Sequence, residues 1–73
     1  MFTVNWVERG NEGDPRAIEI TGLTDADKIV VNCKKKLSQM RFLYIDRPPD
    51  GVIVVDNDGN EAKRWFGPAW PKG

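Results

Sequence analysis

The sequence predicts an α+β fold: one helix packed on a four- to five-stranded, mainly antiparallel sheet, in the order β-β-α-β-β-β. Three observations predict it. Phe2, Val4 and Trp6 alternate with Thr3 and Asn5 at the N-terminus; one apolar stripe with helical spacing runs from Ala26 to Met40; and Asp56-Asn57-Asp58-Gly59 forms a strong turn between two strand-like runs. The 73 residues leave room for one core, so residues 1–67 are assigned to a single domain and 68–73 to a Pro- and Trp-containing tail.

The first strand is the period-2 run from Phe2 to Val7. Gly10-Asn11-Glu12-Gly13-Asp14-Pro15 ends it with residues suited to turns. A second strand covers about Arg16 to Thr21, with Ile18 and Ile20 on one face and Ala17 and Glu19 on the other, and the pair reads as a hairpin. Thr24 is the expected N-cap of the helix, with Asp27 in the capping-box position three residues on. The stripe Ala26, Ile29, Val30, Cys33, Leu37, Met40 then carries the helix to about Gln39. Ile29, Val30 and Val31 are β-branched, so this helix rests on packing more than on intrinsic propensity.

Arg41 to Ile45 is a short, dense apolar run and is expected to be the third strand. Pro48 and Pro49 place a turn after it, since proline cannot donate to a ladder. Val52 to Val55 is the fourth strand and Asn60 to Phe66 the fifth. Two registers compete in that last hairpin. A two-residue turn at Asp58-Gly59 sets Trp65 across from Val52; a turn with Gly59 left-handed pairs Asp56 with Asn60 and sets Arg64 there. The second is preferred because it brings Ala62 and Phe66 onto the face of Val52 and Val54. The order of elements is also compatible with a β-grasp-like mixed sheet, as a topology only; no motif of that or any other family is found.

Composition narrows the function. Eleven basic and eleven acidic residues cancel, so net charge points neither to nucleic acid nor to an anionic membrane. No run approaches the roughly 18–20 apolar residues of a membrane span, and the N-terminus has no signal-type block. One cysteine excludes an internal disulfide and suits a cytoplasmic location; with no histidine, the commonest general base and metal ligand is missing. No phosphate-cradling glycine loop occurs. Cys33 lies on the helix stripe and reads as core rather than nucleophile. Asp56 to Glu61 has some oxygen ligands of a calcium loop, but glycine falls at the wrong position and the closing glutamate is missing, so it reads as a turn. The expectation is a non-enzyme with no cofactor and no metal.

What remains is surface. Five strands and one helix leave the second sheet face uncovered, and that face carries apolar residues. The tail folding back, a homodimer seam and a docking site for another protein each account for this. The leading expectation is therefore a protein-interaction module (adaptor, modulator or inhibitor, or a homodimer) binding through an aromatic sheet face, with Tyr44, Arg64, Trp65 and Trp70 as its contact residues. The alternative is single-stranded nucleic-acid binding by the basic block on the helix, Lys28, Lys34, Lys35, Lys36 and Arg41, with nearby aromatics for stacking.

Overall fold

The computed structural model describes residues 1–68, arranged as β1 (Phe2–Val7), β2 (Ala17–Thr21), α1 (Ala26–Leu43), β3 (Gly51–Val55) and β4 (Glu61–Phe66). The strands form one sheet in the order β2-β1-β3-β4, with every neighbouring pair antiparallel. The α+β reading holds with four strands, and the mixed β-grasp-like alternative does not, because no parallel pair occurs among the described strands.

The expected strand Arg41 to Ile45 is the last turn of the helix and its exit. Positions 33, 37, 40 and 44 continue the helical stripe, so Cys33, Leu37 and Met40 are buried and Tyr44 packs against the same core. A five-residue apolar run satisfies both periods, and here the preceding helix carries through it. Tyr44 ends the helix at φ −121°, its N–H donating to the Met40 carbonyl at 3.0 Å.

The N-cap is also displaced by one residue. Asp25, not Thr24, adopts the extended cap conformation, and its Oδ1 accepts from the Asp27 N–H at 2.9 Å. Aspartate is the stronger N-cap. The third helical residue is then Lys28, so no capping box forms.

One sheet face packs under the helix. Ala17, Trp6, Val52 and Trp65 form a row across all four strands on that face; Glu19, Val4, Val54 and Lys63 form the next. Trp6, Val52 and Val54 are fully buried, with Ile29, Val30, Cys33, Leu37 and Met40 of α1 in the same cluster. Trp6 Nε1 donates to Glu19 at 3.2 Å, which satisfies the one polar atom in the indole.

The final hairpin combines the two registers weighed from sequence. Gly59 has φ +83° and the Asp56 N–H donates to the Asn60 carbonyl at 2.9 Å, as in the preferred turn. A register shift between Val54 and Val55 then leaves Ala62 unpaired, and beyond it Trp65 faces Val52. The preferred placement of Ala62 and Phe66 beside Val52 and Val54 is thereby overturned: Lys63 and Trp65 take those places, and Phe66 lies on the opposite face.

Asp50 ties the open end of the sheet. Its N–H donates to Val7 O at 2.8 Å, its carbonyl accepts from Gly67 N at 2.7 Å, and its carboxylate accepts from Arg9 N at 3.1 Å and lies 3.6 Å from Arg41. The adjoining Gly51 lies against β4, where an added Cβ would meet the backbone of Trp65 and stand 2.8 Å from the Phe66 ring. Gly51→Ala is therefore expected to cost about 2–3 kcal/mol through overpacking against backbone that cannot yield. Gly13→Ala, at an exposed position with open space, is expected to stay within about 0.5 kcal/mol. Urea midpoints of the two variants check the contrast.

Candidate interaction surfaces

Among the described residues, the fold does not bring the expected contact residues onto one exposed face. Trp65 turns inward, half-buried against the core, with Lys34 Nζ 5.7 Å from its ring. Arg64, its neighbour in the strand, is exposed on the opposite face and pairs with Glu61 through Nε at 3.0 Å and Nη2 at 2.6 Å. The unpaired Ala62 between them brings two residues three apart in a strand to one side. Tyr44 is half-buried at the helix end. Trp70, and with it the expectation that the tail covers the second face, lies outside the described residues.

The basic block is likewise divided. Lys28 and Lys35 share one exposed side of α1, and Lys34 and Arg41 another, about 100° away at 3.6 residues per turn. Lys36 lies 3.3 Å from Glu19 on β2. Arg41 is largely buried, donates from Nε to the Pro49 carbonyl at 3.4 Å, and donates to Pro68 O. Of this block, Lys36 pairs α1 with β2 through Glu19; a second ion pair, Asp27–Lys63, joins the first turn of α1 to β4.

The exposed apolar groups lie elsewhere. The first set is at the helix end, where Phe42 is 78% exposed and Ile45 67%. Eighteen helical residues span about 27 Å, whereas strands of five or six residues span about 17–20 Å. The helix therefore projects past the last sheet row, and Met40 is its last buried residue. An open groove of about 520 Å³ sits there, with Leu37, Phe42, Ile45 and Pro68 as apolar lining and Lys34 and Arg41 beside them.

The second set is on β2, where Ile18 and Ile20 are 64% and 75% exposed on the face away from the helix. The rest of that face is less apolar than the sequence implies. Leu43 and Ile45 are not in the sheet, Thr3 and Asn5 of β1 lie beside Val55 and the buried Ile53 of β3, and Phe66 is half-buried with the Arg9 guanidinium 5.7 Å from its ring. The alternation of β2 made Ile18 and Ile20 legible as one face. Phe42 and Ile45 fall in an apolar run that fits a strand as well as a helix, so the sequence does not set them apart.

Several of the carboxylates in and beside the turns have structural partners. Asp56 Oδ1 accepts from the N–H groups of Asp58 and Asn60, each at 2.9 Å, which closes the turn. Arg47 holds the Glu8 carboxyl below its usual range by hydrogen bonding, and Arg64 does the same for Glu61. Among the described residues no three metal-ligating side chains converge, and no helix is long and apolar enough to cross a membrane. Compared with known proteins, the chain matches no family model, no curated protein and no solved structure.

Cys33 is buried in the core, and burial pushes its thiol up to about 11. The folded protein thus holds this proton more tightly than the unfolded chain does. Its contribution to stability is retained below pH 9 and declines as the pH rises towards 11. A thiol reagent at pH 8 is expected to leave the folded protein unmodified and to label Cys33 fully in urea. Rapid labelling without denaturant would contradict this burial.

Proposed function

We propose that this chain is a small, non-enzymatic protein-interaction module, acting as an adaptor, modulator or inhibitor, and that it binds an acidic, apolar-anchored segment of a partner protein in the groove at the end of α1. The observation that carries the reading is Phe42, a phenyl ring 78% exposed at the lip of an open groove. Large apolar side chains exposed beside a concavity and flanked by charge are the usual marks of a docking surface. Lys34 and Arg41, both lining the groove on the same side of α1, give it a positive border, which favours an acidic segment. The reading shifts the contact surface from the sheet to the helix end, where Trp65 adjoins the groove only through Lys34, whose ammonium lies over its ring. It includes a cytoplasmic location, supported by a single, buried thiol.

Nucleic-acid binding is the weaker reading. The lysines and arginine of α1 are divided between sides of the helix, and Lys36 and Arg41 are engaged within the chain. A phosphate backbone is best followed by cations along one path.

A displayed peptide library selected on the protein is expected to enrich acidic segments with one or two large apolar residues. Burying a phenyl group contributes about 1.5–3 kcal/mol, so Phe42→Glu should weaken the selected peptide roughly 10- to 100-fold with the circular dichroism unchanged. Failure to enrich such a motif, or binding indifferent to Phe42→Glu, overturns the proposal. Oligothymidine at low salt is expected not to be retained.

A further inference from the structure

The two edges of the sheet are built differently. β4 carries Glu61, Lys63 and Arg64 and is bulged at Ala62, and charges and bulges are the standard means of preventing edge-to-edge pairing. β2 has no bulge, and its one charge, Glu19, lies on the helix side and is paired with Lys36. Among the described strands, Ala17-Ile18-Glu19-Ile20-Thr21 is paired to β1 on one side only, is regular over all five residues, and exposes both isoleucines.

The pattern of β2 is also close to symmetric about its centre. We infer that β2 pairs antiparallel with β2 of a second copy of this chain, about a twofold axis through Glu19, giving a continuous eight-stranded sheet. In that register Ile18 of each copy lies across from Ile20 of the other, and Ala17 lies across from Thr21. Both isoleucine pairs fall on the face away from the helices, where cross-strand β-branched contacts stabilise the ladder. The backbone donors and acceptors along the edge gain partners at the same time.

Two Glu19 side chains meet at the axis, and like charges directly opposite oppose pairing. Each of them is 3.3 Å from its own Lys36, so two ammonium groups arrive with the two carboxylates and the centre of the seam is charge-balanced. Five residues per strand make a small interface, below the usual size of permanent complexes. The dimer is therefore a reversible one that forms with rising concentration. It uses a different edge from the groove at Phe42, and neither proposal depends on the other.

Sedimentation equilibrium of the full chain from about 1 μM to 1 mM, spanning the weak end of the affinity scale, tests it. The expected result is a rise from the 8.3 kDa chain mass to twice that value. Ile18→Lys and Ile20→Lys should each abolish the rise with circular dichroism unchanged, and Lys36→Glu should weaken it at least tenfold. Phe42→Glu should leave it intact. For the register, Glu19→Cys should give a disulfide-linked dimer under mild oxidation, whereas Asn57→Cys, in the exposed turn of the far hairpin, should not. A mass that stays at one chain throughout overturns the inference. So does a dimer that survives both lysine substitutions, or one in which Asn57→Cys cross-links as readily as Glu19→Cys.

Discussion

The row Ala17–Trp6–Val52–Trp65 is the constraint on which the rest of the molecule depends. Trp6 is fully buried in a central strand. Burying roughly 200 Å² of indole at about 25 cal/mol/Å² is worth about 5 kcal/mol. At about 0.05–0.15 kcal/mol per residue, that is comparable with the whole stability of a chain this short. A residue of that size needs small neighbours, and Ala17 and Val52 on either side supply them. Its Nε1 needs an acceptor, and Glu19 on β2 provides one while also meeting Lys36 of the helix. Placement of Trp6 thus sets the registers of β1 with β2 and β3, and helps fix the side on which α1 lies.

Trp65 completes the row only because of the irregularity beside Ala62. Without it, the turn closed by Asp56, Gly59 and Asn60 would set Arg64 across from Val52, and a guanidinium would point towards the core. The unpaired residue moves the inner half of β4 by one position. Trp65 turns in, Phe66 turns out to lie over Gly51 beneath Arg9, and Arg64 reaches Glu61 on the solvated face. The same irregularity leaves β4 unsuited to pairing, so the need to bury one aromatic ring also makes the two sheet edges unequal.

How much of this was legible follows from the kind of signal each element carries. The alternation in β1 and the long stripe in α1 repeat over several periods, so both were readable. The turn at Asp56 was readable because its chemistry is local: a carboxylate accepting two nearby N–H groups, and a glycine with positive φ. Residues 41–45 were misread because five apolar residues match a strand and a helix equally, and the choice depends on where the preceding stripe ends. The displacement at Ala62 was not readable at all. It arises from competition between a turn and a core residue six positions away, and pairwise residue pattern does not contain it. Arg64 and Trp65 lie on opposite faces, as neighbours in any strand do, while Phe42 sits in the run that matches both periods.

The assignment of residues 41–45 also changes what the exposed apolar surface means. Had Leu43 and Ile45 been in a central strand, the excess would lie on the back of the sheet, and closing it would require a broad, flat partner. With the helix running on to Leu43, the excess is moved to an overhang beyond the last row of strands. There the sheet no longer provides a floor. The helix cannot retract towards the sheet without losing the attachment at Asp50, because Arg41 on its last turn bonds Pro49 and pairs with Asp50, and Asp50 in turn joins β1 to the end of β4. The overhang is therefore held in place by the same contacts that close the sheet. Exposure of Phe42 and Ile45 follows from anchoring a helix longer than the strands beneath it, and a groove produced in that way is walled on one side by the helix and offers no strand edge, so it suits a segment of chain better than a second sheet.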